Sequence, residues 1–292
     1  ATTHAGILFN VVLHQILADL AEAETYVTAE GTPNSAYITT DVVAALQARV
    51  ALMMHDYDTA LLKAKSLIDG GKYRLVTDAK TFADGWLNDN LTETIWQAAM
   101  TGPDDLGNAF SYFIYNTSGK DGEDNPQYVP EDWVLNLYDQ TNDIRYQSWF
   151  DTRNITTPVV GTLTLLVKYP GNPKLYSAVT NYVNMPKIFR ISEMYYIMAE
   201  ALMESDPAKA TEYYDAVVTT RDLDPLTGTS TVTADNLYNE RCKEFFGEGF
   251  RWFDMKRLGK DIQVSTSVLL PGNSLNTYVI PLPLAEEENR NE

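Results

Sequence analysis

Acids and bases alternate along one short stretch near the carboxy terminus: Glu240, Arg241, Glu244, Glu248, Arg251, Asp254 and Arg257. On a helix, residues four apart share a face, so Glu240, Glu244 and Glu248 would line up. Two carboxylates held in this way can do general acid–base work, and a pair about 5–9.5 Å apart across a cleft is the device of glycoside hydrolysis. The interleaved arginines point the other way. A guanidinium beside a carboxylate keeps it ionised instead of raising its pKa towards proton donation. Charges close to a core persist when they are paired. The stretch, Trp252 included, is therefore read as a structural motif, with Phe245, Phe246, Phe250, Trp252 and Phe253 packed around it.

A second candidate chemistry is non-covalent. Residues 101–128 carry loop signals (Gly102-Pro103, Gly107, Gly119, Gly122, Asn125-Pro126) with Phe110, Tyr112, Phe113 and Tyr115 set among them. A flat ring covers the C–H face of a sugar while neighbouring amides and acids bind its hydroxyls. Trp86, Asn108, Tyr112, Phe113, Tyr115, Asn116 and Tyr128 are the candidate ligand-binding residues, and Asp121 is a further polar neighbour. The competing reading is that these rings pin the loop to helices beneath it. Asp121, Glu123, Asp124 and Asn125 offer oxygen ligands, but the spacing falls short of a calcium-binding loop and is read as a solvated acidic turn. Cys242 stands alone, with no histidine nearby to act as its base. Paired metal-ligand spacings, a phosphate loop and a nucleophile elbow are all missing. No metal or cofactor is expected.

The elements that would position these residues are helical. Apolar residues from Ile7 to Tyr26 (Phe9, Val12, Leu13, Ile16, Leu17, Leu20) recur at helical spacing opposite Asp19, Glu22 and Glu24. Thr40 or Asp41 is expected to cap a helix reaching about Met54, and a second helix after His55–Asp58 stops at Gly70-Gly71. Two helices on so short a turn pack antiparallel, and alanines at 48, 51, 60 and 64 let them approach as in a tetratricopeptide pair. Ala51-Leu52-Met53 returns as Ala201-Leu202-Met203, and Ala60 as Ala210, each 150 positions on. The later helices run from Ile191 and, after Pro207, through Val217. Short helices are expected over Glu131–Tyr138, from Thr233 to Phe246, broken by Gly247 and Gly249, and over Phe250–Leu258. A strand is expected over Gly161–Tyr169, and Ile280-Pro281-Leu282-Pro283 reads as extended.

The whole is a mainly α chain. Helical repeats occupy about 7–75 and 186–260, loop-rich segments about 76–185 and 261–292, in a single domain. The 292 residues, 45% hydrophobic, can bury a core, and a net charge of −18 opposes binding to nucleic acid. No apolar run is long enough to span a bilayer. The chain begins at Ala1, and no secretory segment or lipoprotein cysteine stands near that start.

Four stretches resemble the SusD/RagB family. Asn239 through Arg257 is similar to its ER-x-x-E-hydrophobic-x-x-EG-x-R-W-x-D-hydrophobic-x-R pattern. Arg190–Glu193 with Ala199-Glu200-Ala201 is similar to its R-x-x-E…AEA helix. The pair from Ala44 to Tyr73 and the closing Ile280–Pro283 run with Glu286 complete the likeness, which departs from the pattern where Glu287 and Glu288 precede Asn289. The resemblance implies a SusD-like α superhelix lacking its amino-terminal portion. It also implies a lipoprotein at the outer-membrane surface that captures oligosaccharide or polysaccharide, or a peptide, without covalent chemistry. Its implied partner is a SusC-like TonB-dependent transporter. The rival readings are a helical-repeat scaffold for proteins and an α-helical glycoside hydrolase.

Overall fold

A computed structural model describes residues 4–101, 126, 128–155, 161–175, 183–265 and 268–272, with the side chains of 4–10 and 263–265 left aside. The chain divides into two compact units, 1–244 and 245–292.

The first unit is built on two helical hairpins. After α1 (His4–Tyr26), α2 (Thr40–Met53) and α3 (Tyr57–Asp69) form the first. The second is α7 (Ile191–Leu202) and α8 (Pro207–Val218). Both second helices start on an aspartate. The Thr59 amide donates to Asp56 Oδ1 at 3.2 Å, and the Lys209 amide donates to Asp206 Oδ1 at 3.0 Å. These caps are themselves 150 positions apart, so the repeat extends from the alanines to the caps. Pro207 occupies the first turn, where its missing N–H is not needed. The α2 cap is Thr39, one residue before the expected pair. Asp41 instead accepts from the Tyr73 hydroxyl at 2.8 Å and from Lys72 at 3.1 Å.

The hairpins stack through α3 and α7 on one core. Ala45, Ala48, Ala51, Ala60 and Ala64 are wholly buried there beside Ile95, Ile191, Met194 and Ile197. Arg49 bolts α2 to α7: Nε and Nη2 reach Glu193 at 2.7 Å each, Nη2 also donates to the Ile188 carbonyl, and the guanidinium lies 3.9 Å from the Phe189 ring centre. Helix α1 is less covered than its stripe suggests: Leu13 is buried, Ile16, Leu17 and Leu20 are half-buried, and Val12 is exposed.

Residues 76–185 hold more regular structure than their loop signals suggest. They contribute α4 (Ala79–Leu87), β1 (Thr94–Gln97), α5 (Asp132–Leu135), α6 (Ile144–Trp149), β2 (Phe150–Ile155) and β3 (Gly161–Leu166). β2 and β3 form an antiparallel hairpin. β1 pairs antiparallel with β4 (Lys187–Arg190), directly ahead of α7. Such short strands carry too little period-2 pattern to be recognised alone.

One charge cluster ties these segments together. α9 (Ala234–Glu244) brings Glu240 and Glu244, and Glu93, Asp143, Arg145, Arg190 and Arg221 converge from four other places, all within 2% of full burial. Glu244 accepts from Arg190 at 2.7 Å, Arg221 at 2.8 Å and Arg145 at 3.0 Å. Arg221 also binds Glu93 at 2.9 Å, Arg145 binds Asp143 and Glu240 at 2.7 Å, and Lys243 binds Glu240 at 2.6 Å. Within this set four carboxylates meet four cations. The sequence suggests the arginines interleaved in the motif as partners; the three that bind Glu244 come instead from remote segments. Burial pushes the Glu244 carboxyl up, yet Arg221, Arg190 and Arg145 outweigh it and hold the group well below its ordinary value of 4.5. Glu240 is lowered too, with burial again outweighed, by Arg145 and Lys243.

The second unit carries the remainder of the motif. Gly247 and Gly249, at φ 75° and 84°, end the helical run as expected. Phe250 stacks on Phe245 at 4.3 Å ahead of α10 (Arg251–Arg257), and Asp254 pairs with Arg257 at 3.1 Å. Trp252 and Phe253, expected to pack around the charges, are instead 46% and 56% exposed. β5 (Ile262–Ser265) and β6 (Val268–Leu270) form a hairpin. The Ile280–Pro283 run lies outside the described residues.

Ala48→Leu, which forces a larger side chain between the hairpins, should lower stability to urea by about 1–3 kcal/mol. Exposed Glu212→Ala should stay within about 0.5 kcal/mol. Glu244→Ala, which strands three buried guanidiniums, should cost about 3–5 kcal/mol. Because Glu244 is ionised when folded at a pH where the unfolded chain takes up a proton, its contribution is complete above pH 4.5 and is lost as the pH falls further. Urea midpoints measured from pH 7 down to 3 should fall less steeply below 4.5 in Glu244→Gln than in the parent.

Candidate binding surface

The arrangement of Glu240 and Glu244 is not that of a general acid–base pair. Glu240 and Glu244 are 2% and 0% exposed and ionised, bound by arginines that leave no room for substrate. A general acid for glycoside cleavage needs a raised pKa beside a cleft. Both requirements fail at these two positions. Among the described residues, no group of three His, Cys, Asp or Glu side chains is placed to hold a metal ion.

The candidate ligand residues separate into three sets. Trp86 is a core residue, and its proposed ligand contact is corrected here. It is 2% exposed and sits among Phe82, Trp149 and Tyr169 with ring centres 5.4–6.4 Å away. The Lys168 ammonium lies 4.4 Å from its ring centre and 3.6 Å from that of Trp149. A ring buried in this way has no face to offer a sugar. Asn108, Tyr112, Phe113, Tyr115 and Asn116 lie outside the described residues, as do Asp121, Glu123, Asp124 and Asn125. Tyr128 is 66% exposed.

Trp133 stands five residues beyond Tyr128, 51% exposed, and sequence reasoning assigned it only to a helix. Its orientation follows from α5 being a single turn. Val134 and Leu135, 4% and 8% exposed, face inwards, so the residue before them turns out. Val129, between the two rings, is 45% exposed. The segment is held firmly from behind. Tyr138 is buried and donates its hydroxyl to the Lys243 carbonyl at 2.8 Å, and its ring packs on Phe150 at 5.2 Å and Tyr146 at 6.0 Å. Burial pushes the Tyr138 hydroxyl well above its ordinary pKa, so it remains a neutral donor. Exposed aromatics on a pinned segment can cover the apolar face of a ring-shaped ligand with little loss of conformational freedom. The signal for Trp133 in sequence was its place ahead of an inward-facing Val-Leu pair in so short a helix.

A polar junction fixes another part of this unit. Asp89, held at φ 51°, accepts from Asn172 at 2.8 Å and from the buried Lys187 ammonium at 2.5 Å. Asn184 receives the Gly171 amide at 2.7 Å. Asn172, Asn184 and Lys187 are thus fastened to the end of α4, beside the aromatic cluster that contains Trp86.

Comparison with known proteins places this geometry in context. A model of the SusD family matches residues 114–278, more than half of the chain. A SusD-like protein, P38 of Formosa agariphila, is 22% identical over 300 residues, covering 87% of this chain and 58% of its own length. A SusD superfamily protein of Bacteroides thetaiotaomicron superposes with a TM-score of 0.78 at 23% identity, over 94% of this chain and 64% of that one. Surface glycan-binding protein A of the same organism superposes with a TM-score of 0.70 at 21% identity, over 97% and 69%. The chain therefore spans less than two thirds of the first two relatives, and the structural likeness, at these identities, establishes the mainly α fold. With the family motif and the stacked hairpins agreeing, the match across residues 114–278 makes this chain a member of the SusD family.

Proposed function

We propose that the chain is a non-catalytic glycan-binding protein of the cell surface, and that Tyr128 and Trp133 supply part of its sugar-binding platform. The observation that carries this reading is the pair of exposed rings on a segment pinned by buried Tyr138, Val134 and Leu135. Family membership and the fold shared with a surface glycan-binding protein support it. Tyr112, Phe113, Tyr115, Asn108 and Asn116 remain proposed contributors to the same surface. The absence of catalysis is proposed because the acids that might have cleaved a sugar are buried and ionised. By the same family reading, the full-length protein sits at the outer membrane as a lipoprotein and hands its ligand to a SusC-like TonB-dependent transporter. No helix among the described residues is long and apolar enough to cross a membrane.

Affinity should be modest, because a shallow platform desolvates little area. In affinity electrophoresis and calorimetry against plant, microbial and host polysaccharides, at least one glycan should be retained and released unhydrolysed. Trp133→Ala and Tyr128→Ala should each weaken that binding by about tenfold, roughly 1.4 kcal/mol, with an unchanged circular dichroism spectrum. Unaltered affinity in both variants would remove the platform from the site. For the partner, full-length protein extracted from its native membrane in mild detergent should co-migrate with a β-barrel transporter. Such a complex in a protein that binds no glycan would favour the interaction-scaffold reading instead.

A further inference from the structure

We propose that the Tyr128–Trp133 platform selects glycans without carboxylate or sulfate groups, an inference that rests on the glycan-binding reading above and narrows its ligand class. The stretch between the two rings and beyond them carries acids only. Glu131 and Asp132 directly precede Trp133 and are exposed, and Asp139 follows on the same segment. Among the described residues neither Glu131 nor Asp132 has an ion-pair partner, and Glu131, although it heads α5, makes no capping bond with its side chain. No described cation therefore compensates their charges at the edge of the platform.

The nearest cations along the described segment are already committed. From residue 126 to residue 144 there is no lysine or arginine, and Arg145 is wholly buried between Asp143, Glu240 and Glu244. Lys243, whose carbonyl receives Tyr138, is 8% exposed and bound to Glu240. A uronate or sulfate ester seated on Trp133 would meet two free carboxylates and no free cation from these elements. The net charge of −18 adds a repulsive field of the same sign at longer range. An uncharged sugar loses nothing in that field, and its hydroxyls can donate to Glu131 and Asp132.

The test uses polymers that share a backbone and differ in whether they carry an anionic substituent: hydroxyethyl against carboxymethyl cellulose, laminarin against its sulfated derivative, and pullulan against carboxymethyl pullulan. Alginate and polygalacturonate serve as natural polyanions. For any neutral polymer that binds, the charged counterpart should bind about fivefold or more weakly in 50 mM salt, the size of one unit-charge repulsion at contact range in water. That ratio should shrink in 500 mM salt, where the Debye length falls to about 4 Å, and should shrink again in the Glu131→Gln/Asp132→Asn double variant. A polyanion held as tightly as its neutral partner, with binding lost in Trp133→Ala, would overturn the charge selection and leave the glycan-binding reading standing. Selectivity that ignores both salt and the double variant would also overturn it. Retention of no polymer at all would sink the glycan-binding reading, and this inference with it.

Discussion

Glu244 is the point on which the first unit converges. It ends α9, and its two carboxylate oxygens accept from arginines at 145, 190 and 221, which stand on three segments far apart in the chain. Removing that many charges from water is costly, and mutual attraction offsets the cost only when nearly every donor finds an acceptor. The cluster meets this condition by spreading its bonds: Glu93 takes the other side of Arg221, Asp143 the other side of Arg145, and the Glu244 carbonyl takes Arg190. An interaction with such strict geometry specifies a register. β1, β4, α6, α9 and the turn after α8 can occupy essentially one arrangement in which all of these groups are satisfied together.

The alanine-lined hairpins work differently. Their contact is close and apolar, and α3 and α7 could slide with a smaller penalty than a broken ion cluster would impose. Arg49 limits that sliding with its two-pronged grip on Glu193. The two devices share a border at β4, where Phe189 joins the apolar core and its neighbour Arg190 enters the charge cluster. Alternation along a strand accounts for this, since successive side chains point to opposite faces.

Much of the scaffold was legible in the sequence. The hairpins, their turns, Pro207 and the glycine stops at 247 and 249 depend on local spacing, and local spacing survives without tertiary information. The charge motif was readable as structural, but its partners were not. Arg145, Arg190 and Arg221 lie between 23 and 99 residues from Glu244, and nothing local distinguishes a buried arginine from a solvated one. Trp86 failed for the complementary reason. A tryptophan in a short amphipathic helix has the same sequence signature whether its ring meets a sugar or, as here, Phe82, Trp149 and a buried lysine. Trp133 shows how direction decides the matter: one position before two inward-facing residues, a ring must point out.

The division between buried charge and exposed ring bears on what such a scaffold can do. Burial alone would raise Glu244 and Glu240 and make them effective proton donors. The arginines reverse that tendency, so the groups best placed by desolvation for acid chemistry are those held most firmly as anions. The exposed side chains at residues 128–133 include no histidine, cysteine or lysine that would exchange a proton near neutral pH. They are apolar or aromatic, with two carboxylates at the edge. A surface of this kind presents ring faces and hydrogen-bond acceptors. Its rigidity comes from the inward-facing residues behind it, through Tyr138 to the Lys243 carbonyl, whose next residue in α9 is Glu244. The charge cluster thus fixes what lies in front of it while itself remaining sealed from solvent.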